Sequence, residues 1–246
     1  MDDERVGQIA KNIATVKARI ERAAAQAGRP SGAARLVVVT KAQPIAVVEA
    51  ALLAGAEIVG ENYPEETLPK ILALKERFAA EWHMIGHLQS RKAPIVVEHF
   101  DMLQSLDRLD LAQKLQARAA AIGRRLPVLL EFNTGGEESK SGWNAAEEAA
   151  WPGLLAEIRQ VAALPNLELR GLMTMPPLFE EAEEARPFFS RLRRLRDFLT
   201  AEIAGVDLRE LSMGTSADFE VGVQEGATLV RVGTAILGAR PPRERG

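Results

Sequence analysis

The sequence predicts an α/β protein built as a (β/α)8 TIM barrel. Eight short apolar runs alternate with helical patterns along 246 residues, the mark of βαβ units and a parallel sheet. The length fits eight such units closed on themselves, since barrels of this kind take about 250 residues. No G-x-G-x-x-G follows the first strand, which argues against the competing doubly wound sheet with a dinucleotide site.

The elements follow in order. Val6, Ile9, Ile13, Val16 and Ile20 fall on one helical stripe, and "AGRPSG" ends it, so residues 1–28 are expected to form an N-terminal helix packed on the barrel. In "RLVVVTKAQP", Leu36 to Val39 do not alternate with polar residues. They read as a strand buried on both faces that runs into Thr40 and Lys41. The runs "AEIVGEN", "WHMIGH", "DMLQSL", "PVLLEFN", "LELRGLM", "LRELSM" and "TLVRVG" supply the other seven strands. Between them lie helical patterns such as "PIAVVEAALLAG", "RLDLAQKLQARAAAIG" and "ARPFFSRLRRLRDFLTAEIAG". In the last, Phe188, Leu192, Leu195 and Leu199 share a stripe. With no linker and no low-complexity segment, residues 1–246 are expected to form a single barrel domain.

Composition narrows the function. Hydrophobic residues make up 47% and charged residues 26%, and 31 basic against 34 acidic residues leave a net charge of -3. The two signs are mixed along the chain, which gives no electrostatic case for a nucleic acid or a membrane surface as partner. The absence of cysteine excludes disulfides, thiolate metal sites and cysteine nucleophiles, and three histidines make a metal site unexpected. The acidic N-terminus lacks an apolar signal core, and no stretch approaches the roughly 18 apolar residues of a membrane span. A cytoplasmic protein is expected.

In such barrels the chemistry sits at the C-terminal ends of the strands. Those ends carry Lys41; Glu61, Asn62 and Tyr63; His87; Ser105; Asn133; Met173; Ser212, Met213, Thr215 and Ser216; and Arg231, Gly233 and Thr234. A strand-end lysine often does no more than meet water. Lys41 ends a buried strand on the active face, and a lysine partly withdrawn from water becomes a nucleophilic amine that forms Schiff bases. "LSMGTSADFEVG" puts a glycine turn before a helix, with Thr215 or Ser216 as its cap and Asp218 at capping-box spacing. "RVGTAILG" puts a second glycine turn after the eighth strand. Either is an ordinary helix start, but barrels frequently bind phosphate with the loops after strands seven and eight. Arg231 would add a fixed cation. A phosphate site, a Schiff-base lysine and an arginine together suggest pyridoxal 5'-phosphate (PLP). His83, inside its strand, reads as structural, and Met173 and Met213 read most simply as core residues.

The segments "VVVTKAQP", "GENYPEE", "WHMIGHLQSRK", "NTGGEESKSGW", "GLMTM", "LSMGTSADFEVGV" and "VRVGTAILGAR" resemble, in order from Leu36 to Arg240, the pyridoxal phosphate homeostasis protein family, single-domain relatives of the alanine racemase barrel. The resemblance implies the PLP fold type III barrel with the cofactor held as a Schiff base on Lys41. It also implies that Asn62 and His87 line the site and that Met213 lies near the cofactor. Ser216 would bind phosphate with the backbone N–H groups of Gly233 and Thr234, and Arg231 would face the pyridine nitrogen. Pro64 and Glu65 depart from the family's usual residues.

Arginine carries no acceptor, so Arg231 would favour an unprotonated ring nitrogen and a weaker electron sink. Racemisation also needs an acid/base on each face of the ring. Beside Lys41 only Tyr63 and His87 offer themselves. The resulting expectation is a PLP-binding protein of vitamin B6 and amino-acid homeostasis without robust catalysis, with PLP and PLP-accepting apo-enzymes as partners, and a monomer rather than a homodimer. Two alternatives stand beside it: a weak PLP-dependent amino-acid racemase, and a Schiff-base aldolase that uses the same lysine without cofactor.

Overall fold

A computed structural model of the chain describes residues 3–238; Arg240, where the family resemblance ends, lies outside the described residues. The first helix, α1 (Asp3–Gln26), buries Ile9, Ile13, Val16 and Ile20, the stripe expected from their spacing. Each such side chain contributes roughly 1.5–3 kcal/mol on burial. The chain then enters β1 (Arg35–Val39), α2 (Ile45–Leu53), β2 (Ile58–Glu61), α3 (Pro64–Leu74), β3 (Glu81–Met84), α4 (Ala93–His99), β4 (Met102–Leu106), α5 (Leu109–Ala121) and β5 (Leu126–Asn133). A two-residue strand, β6 (Trp143–Asn144), pairs only with the end of β5. Next come α6 (Leu155–Ala162), β7 (Leu167–Met173), α7 (Arg186–Glu202), β8 (Glu210–Ser212), α8 (Phe219–Gln224), β9 (Leu229–Val232) and α9 (Thr234–Leu237).

All pairings are parallel, in the order β4-β3-β2-β1-β9-β8-β7-β5, and a β4–β5 pairing closes the ring. The eight apolar runs are the eight barrel strands. In β1 the run Leu36 to Val39 lacks polar alternation because both faces are covered. Val37, Ile58, Met102, Leu129, Met173 and Leu229 point inward as one small apolar cluster, while Val38, Val59, Leu103, Leu130, Leu172 and Val230 belong to the larger core under the helices.

The extra helix has a structural reason. Within the described residues α9 is only four residues long, so the slot outside β9 and β1 is not filled by an eighth barrel helix. Instead α1 packs against α8, α9 and α2. Asn12 Nδ2 donates to the Ile236 carbonyl at 2.8 Å, and Arg19 pairs with Glu220 of α8 at 2.6 Å.

Two local expectations shift by a few residues. In α7 the fully buried residue is Phe189 rather than Phe188, which stacks on Phe179 at 5.3 Å; both phenylalanines fit the stripe, and the sheet takes the one i−3 from Leu192. The helix after β8 starts at Phe219, with Asp218 as its N-cap residue. Asp218 Oδ1 accepts hydrogen bonds from the N–H (2.6 Å) and hydroxyl (3.0 Å) of Thr215. The capping-box pair thus organises the turn before the helix rather than the helix itself.

Candidate active site

The strand order sets the site. β8, β9, β1, β2 and β3 are consecutive neighbours in the ring, so Ser216, then Arg231, Gly233 and Thr234, then Lys41, then Asn62, then His87 follow one another around one side of the barrel mouth. Lys41 lies in the turn just beyond β1, half-buried. The turn is closed by Gln43 N–H donating to the Thr40 carbonyl at 3.0 Å. Its next residue, Ala42, has φ of 60°, the one non-glycine residue with positive φ among those described. Such a conformation costs on the order of 1–3 kcal/mol and tends to persist where function over-determines it.

Below that turn a buried ionic cluster fixes the β1 and β2 ends. Glu61 is 1% exposed, and its Oε1 accepts from Thr40 Oγ1 at 2.9 Å and from Lys70 Nζ at 2.8 Å. Burial pushes the Glu61 carboxyl above the usual carboxylate range, against the opposing pull of Lys70. Asn62 follows. Its Oδ1 is buried without a hydrogen-bond partner, an orphan acceptor of the kind that awaits a ligand or solvent. Its backbone is pressed against Gly86, where an added Cβ would lie 2.8 Å from Asn62 Cα. Asn62, Tyr63, Pro64, His87, Gln89 and Lys92 line a cavity of about 370 Å³. His87 is exposed; its Nδ1 lies 2.9 Å from Asp107 Oδ2 and 3.2 Å from Ser141 Oγ, tying the loops after β3, β4 and β5 together.

The two glycine turns meet. The Gly233 N–H donates to Ser216 Oγ at 3.2 Å, so the turns after β8 and β9 form one polar surface. Gly214 sits at φ of 97°, and a Cβ there would come within 2.8 Å of Phe219 Cα; the turn requires glycine. Thr234 opens the four-residue α9 and is exposed. Met213 is fully buried in the core between sheet and helices, with its N–H bonded to the Leu229 carbonyl. Asn133 closes its own loop by accepting from the N–H groups of Gly135 and Gly136.

Arg231 points into the barrel and is 4% exposed. Nη1 donates to Ser212 Oγ, and Nη2 donates to the Thr174 carbonyl and Met175 Sδ, both at 2.8 Å. Burial pushes its guanidinium down to about 10, with Glu131 and Asp218 opposing. Glu131 is a residue that the motif reading does not reach. It is buried on β5, its Oε2 has no partner, and its pKa is pushed up to about 7, first by burial and then by Asp107, with Arg231 and Lys140 opposing. The signal was a single charge inside the apolar run "PVLLEFN". Among the described residues no group of acidic or histidine side chains is arranged to hold a metal.

The residues present fit a phosphorylated aldehyde cofactor: a half-buried amine, an orphaned amide oxygen, two joined glycine turns and a buried cation share one mouth. Comparison with known proteins points the same way. The alanine racemase N-terminal domain family matches residues 11–241. A pyridoxal phosphate homeostasis protein of Pseudomonas aeruginosa is 44% identical over 233 residues, covering 94% of this chain and 96% of that one. One from Aquifex aeolicus is 41% identical over 231 residues, 94% and 97% of the two chains. Among solved structures, PipY of Synechococcus elongatus with PLP bound is 34% identical with a TM-score of 0.80, over 94% of this chain and all (100%) of that one. An alanine racemase of Clostridium difficile shares the barrel with a TM-score of 0.71 at 15% identity, over 96% of this chain and 60% of that one.

Proposed function

Because the chain belongs to the pyridoxal phosphate homeostasis protein family, we propose that it binds PLP at this mouth and holds it covalently through Lys41. The observation that carries the reading is the adjacency of β8, β9 and β1, which gathers Ser216, Gly233, Thr234, Arg231 and Lys41 on neighbouring strand ends. PipY, a relative at 34% identity, has been solved with PLP bound.

PLP, when bound, supplies an electrophilic aldehyde and a ring able to accept electron density. The protein's residues supply the rest. Lys41 brings the amine that condenses with the aldehyde carbon, releasing water. The joined turns offer the hydroxyl of Ser216 and the N–H groups of Gly233 and Thr234 to the phosphate. Asn62 offers its Oδ1 and amide. Arg231 presents a donor-only cation to the ring nitrogen, which weakens the ring as an electron sink. These roles describe a protein that holds and releases PLP for apo-enzymes, acting in vitamin B6 and amino-acid homeostasis as a cytoplasmic monomer without robust catalysis.

A weak amino-acid racemase is the second reading, favoured by Tyr63 and His87 lining the same cavity as Asn62. Either would give an acid/base group at the mouth besides Lys41. The test is visible absorption of the purified protein, borohydride reduction and peptide mapping, followed by racemase assays. A pyridoxyl adduct on Lys41 with no turnover supports the carrier. Fast turnover lost in Lys41→Ala makes the protein an enzyme. A colourless protein that stays unmodified after PLP is added returns the lysine to the aldolase reading or to plain solvation.

A further inference from the structure

The interior of a (β/α)8 barrel is ordinarily filled by branched apolar side chains. Here a file of polar residues runs through it beside the apolar cluster of Val37, Ile58 and Leu129. Arg231 Nη1 donates to Ser212 Oγ, Ser212 Oγ donates to Gln104 Oε1 at 2.6 Å, and Gln104 Nε2 lies 2.8 Å from His83 Nδ1. His83 Nε2 in turn lies 2.9 Å from Glu81 Oε2, and Glu81 Oε1 accepts from Arg35 Nη1 at 3.2 Å. Ser212, Gln104 and His83 are each 0% exposed. Strands β9, β8, β4 and β3 therefore contribute one side chain each to a column that starts under the mouth and ends at the opposite face, where Glu81 and Arg35 meet water.

With a neutral imidazole at His83, the chemistry of the two ends fixes the direction of every bond between them. A guanidinium can only donate, and an ionised carboxylate can only accept. Ser212 must accept from Arg231, which leaves its one proton for Gln104 Oε1. The Gln104 amide then faces His83 with its NH2 group, so His83 Nδ1 must be the bare nitrogen and Nε2 must carry the proton given to Glu81. Turning the amide over would aim its oxygen at His83 and require a proton on Nδ1, while Nε2 could not lose its own against the carboxylate. One orientation fits a neutral imidazole. A buried polar network in which every member is satisfied rigidifies its surroundings, and breaking it leaves polar atoms stranded.

We propose that Ser212, Gln104 and His83 are positioning residues that fix the direction in which Arg231 presents its guanidinium to the PLP ring nitrogen. The column anchors that cation to the carboxylate of Glu81 at the far end of the barrel. This rests on the reading of the site given above, in which Arg231 faces the ring. None of the three touches the cofactor. They act because the guanidinium is held at both arms, Nη1 by Ser212 and Nη2 by the Thr174 carbonyl and Met175 Sδ, and Ser212 is the contact that the column itself controls. A guanidinium released by Ser212 would pivot on its remaining Nη2 contacts to Thr174 and Met175, and the ring nitrogen would become free to take a proton from water.

The test uses the full-length protein loaded with PLP, with its visible spectrum followed as a function of pH. Ser212→Ala cuts the column at the top and Gln104→Met cuts it in the middle. Gln104→Glu keeps the shape and an acceptor for the Ser212 hydroxyl and, with its buried carboxyl protonated, a donor toward His83 Nδ1. Ser212→Ala and Gln104→Met are expected to move the spectral midpoint by about one pH unit and to weaken PLP binding about tenfold, while borohydride still fixes the cofactor on Lys41. Gln104→Glu is expected to stay within about threefold of the wild type in affinity. Leu129→Val, in the neighbouring apolar cluster, should lower the melting temperature and leave the spectrum in place.

Unchanged midpoints and affinities in both cut variants, with only the melting temperature lowered, would reduce the column to structural filling and overturn the proposal. A ligand-free arm keeps it testable if a variant fails to fold. Imidazole 15N shifts of the wild-type protein must show His83 with its proton on Nε2, and a proton on Nδ1 instead rejects the column as drawn. Failure of the cofactor reading looks different, since the wild type itself would then give no adduct on Lys41.

Discussion

Lys70 Nζ lies 2.8 Å from Glu61 Oε1, and both side chains are almost wholly withdrawn from water. The pair joins α3 to the end of β2, and Thr40 Oγ1 shares the same oxygen from the end of β1, one residue before Lys41. Removing one partner of a buried pair strands the other, which typically costs about 3–5 kcal/mol, whereas replacing both with apolar or neutral groups can be close to neutral. Lys70→Met should therefore lower stability by about that amount. The double variant Lys70→Met with Glu61→Gln should recover most of the loss. Urea unfolding midpoints of the two singles and the double give the coupling, and additive losses would show that the contact contributes little.

Glu131 gives the pH dependence. Its carboxyl is raised to about 7 in the folded protein, against an ordinary value near 4.5. Below the ordinary value both folded and unfolded chains hold the proton, and Glu131 contributes no pH dependence. Between the two values the folded state keeps a proton that the unfolded chain has released, so unfolding becomes easier as pH rises. Above about 7 the penalty is complete, on the order of 3 kcal/mol for a shift of this size. Glu131→Gln should thus match the wild type near pH ~4 and exceed it in stability at mildly alkaline pH. Parallel stability curves for the two proteins across that range would show that Arg231 and Lys140 already balance its charge, against both burial and the like charge of Asp107.

How much of this could be read in the sequence differs between fold and site. The alternation of apolar runs with helical stripes gives all eight barrel strands, because burial on both faces writes itself as an uninterrupted run such as Leu36 to Val39. That Lys41, Asn62, Ser216, Arg231 and Gly233 stand at strand ends or in glycine turns on neighbouring strands was legible from residue type and position along the chain. The column under Arg231 was not. Gln104, His83 and Ser212 lie far apart in sequence on three separate strands, and only strand order and register bring them within 2.6–2.8 Å. Glu131 was hidden for the same reason. A lone charge in a buried strand signals something unusual, but its partners come from other strands. The placement of the helix start at Phe219 rather than at Thr215 shows the limit of spacing rules, since the side chain of Asp218 bonds the turn instead of the helix end.

Gly86 tests the mouth by volume. A Cβ added there would stand 2.8 Å from Asn62 Cα, Cβ and Cγ, so Gly86→Ala must push the Asn62 backbone, not merely a flexible side-chain tip. Overpacking of this kind costs about 1–3 kcal/mol. Because the displaced residue carries the orphaned Oδ1, PLP affinity should fall along with the melting temperature, by about tenfold. Isothermal titration of PLP into Gly86→Ala and Asn62→Ala compares the two. If Gly86→Ala binds as the wild type does while Asn62→Ala does not, the mouth yields to the added methyl, and the contact is not what orients Asn62.

Ser216 separates recognition of the phosphate from recognition of the ring. Its hydroxyl oxygen accepts the Gly233 N–H at 3.2 Å, which leaves its proton to donate outward and holds the two turns in register. Ser216→Ala deletes that donor and frees the Gly233 N–H, which offsets part of the loss but leaves the two turns untied. A hydrogen bond to a charged group is worth about 1.5–3 kcal/mol, and PLP affinity should fall about tenfold or more. Pyridoxal, which lacks the phosphate, should bind the variant and the wild type alike, because Lys41 and Arg231 are untouched. The ratio of the two affinities, measured by absorbance titration, is the readout. An equal loss for both ligands would place the hydroxyl's role in the shape of the turns and move phosphate recognition to Thr234 and the backbone alone.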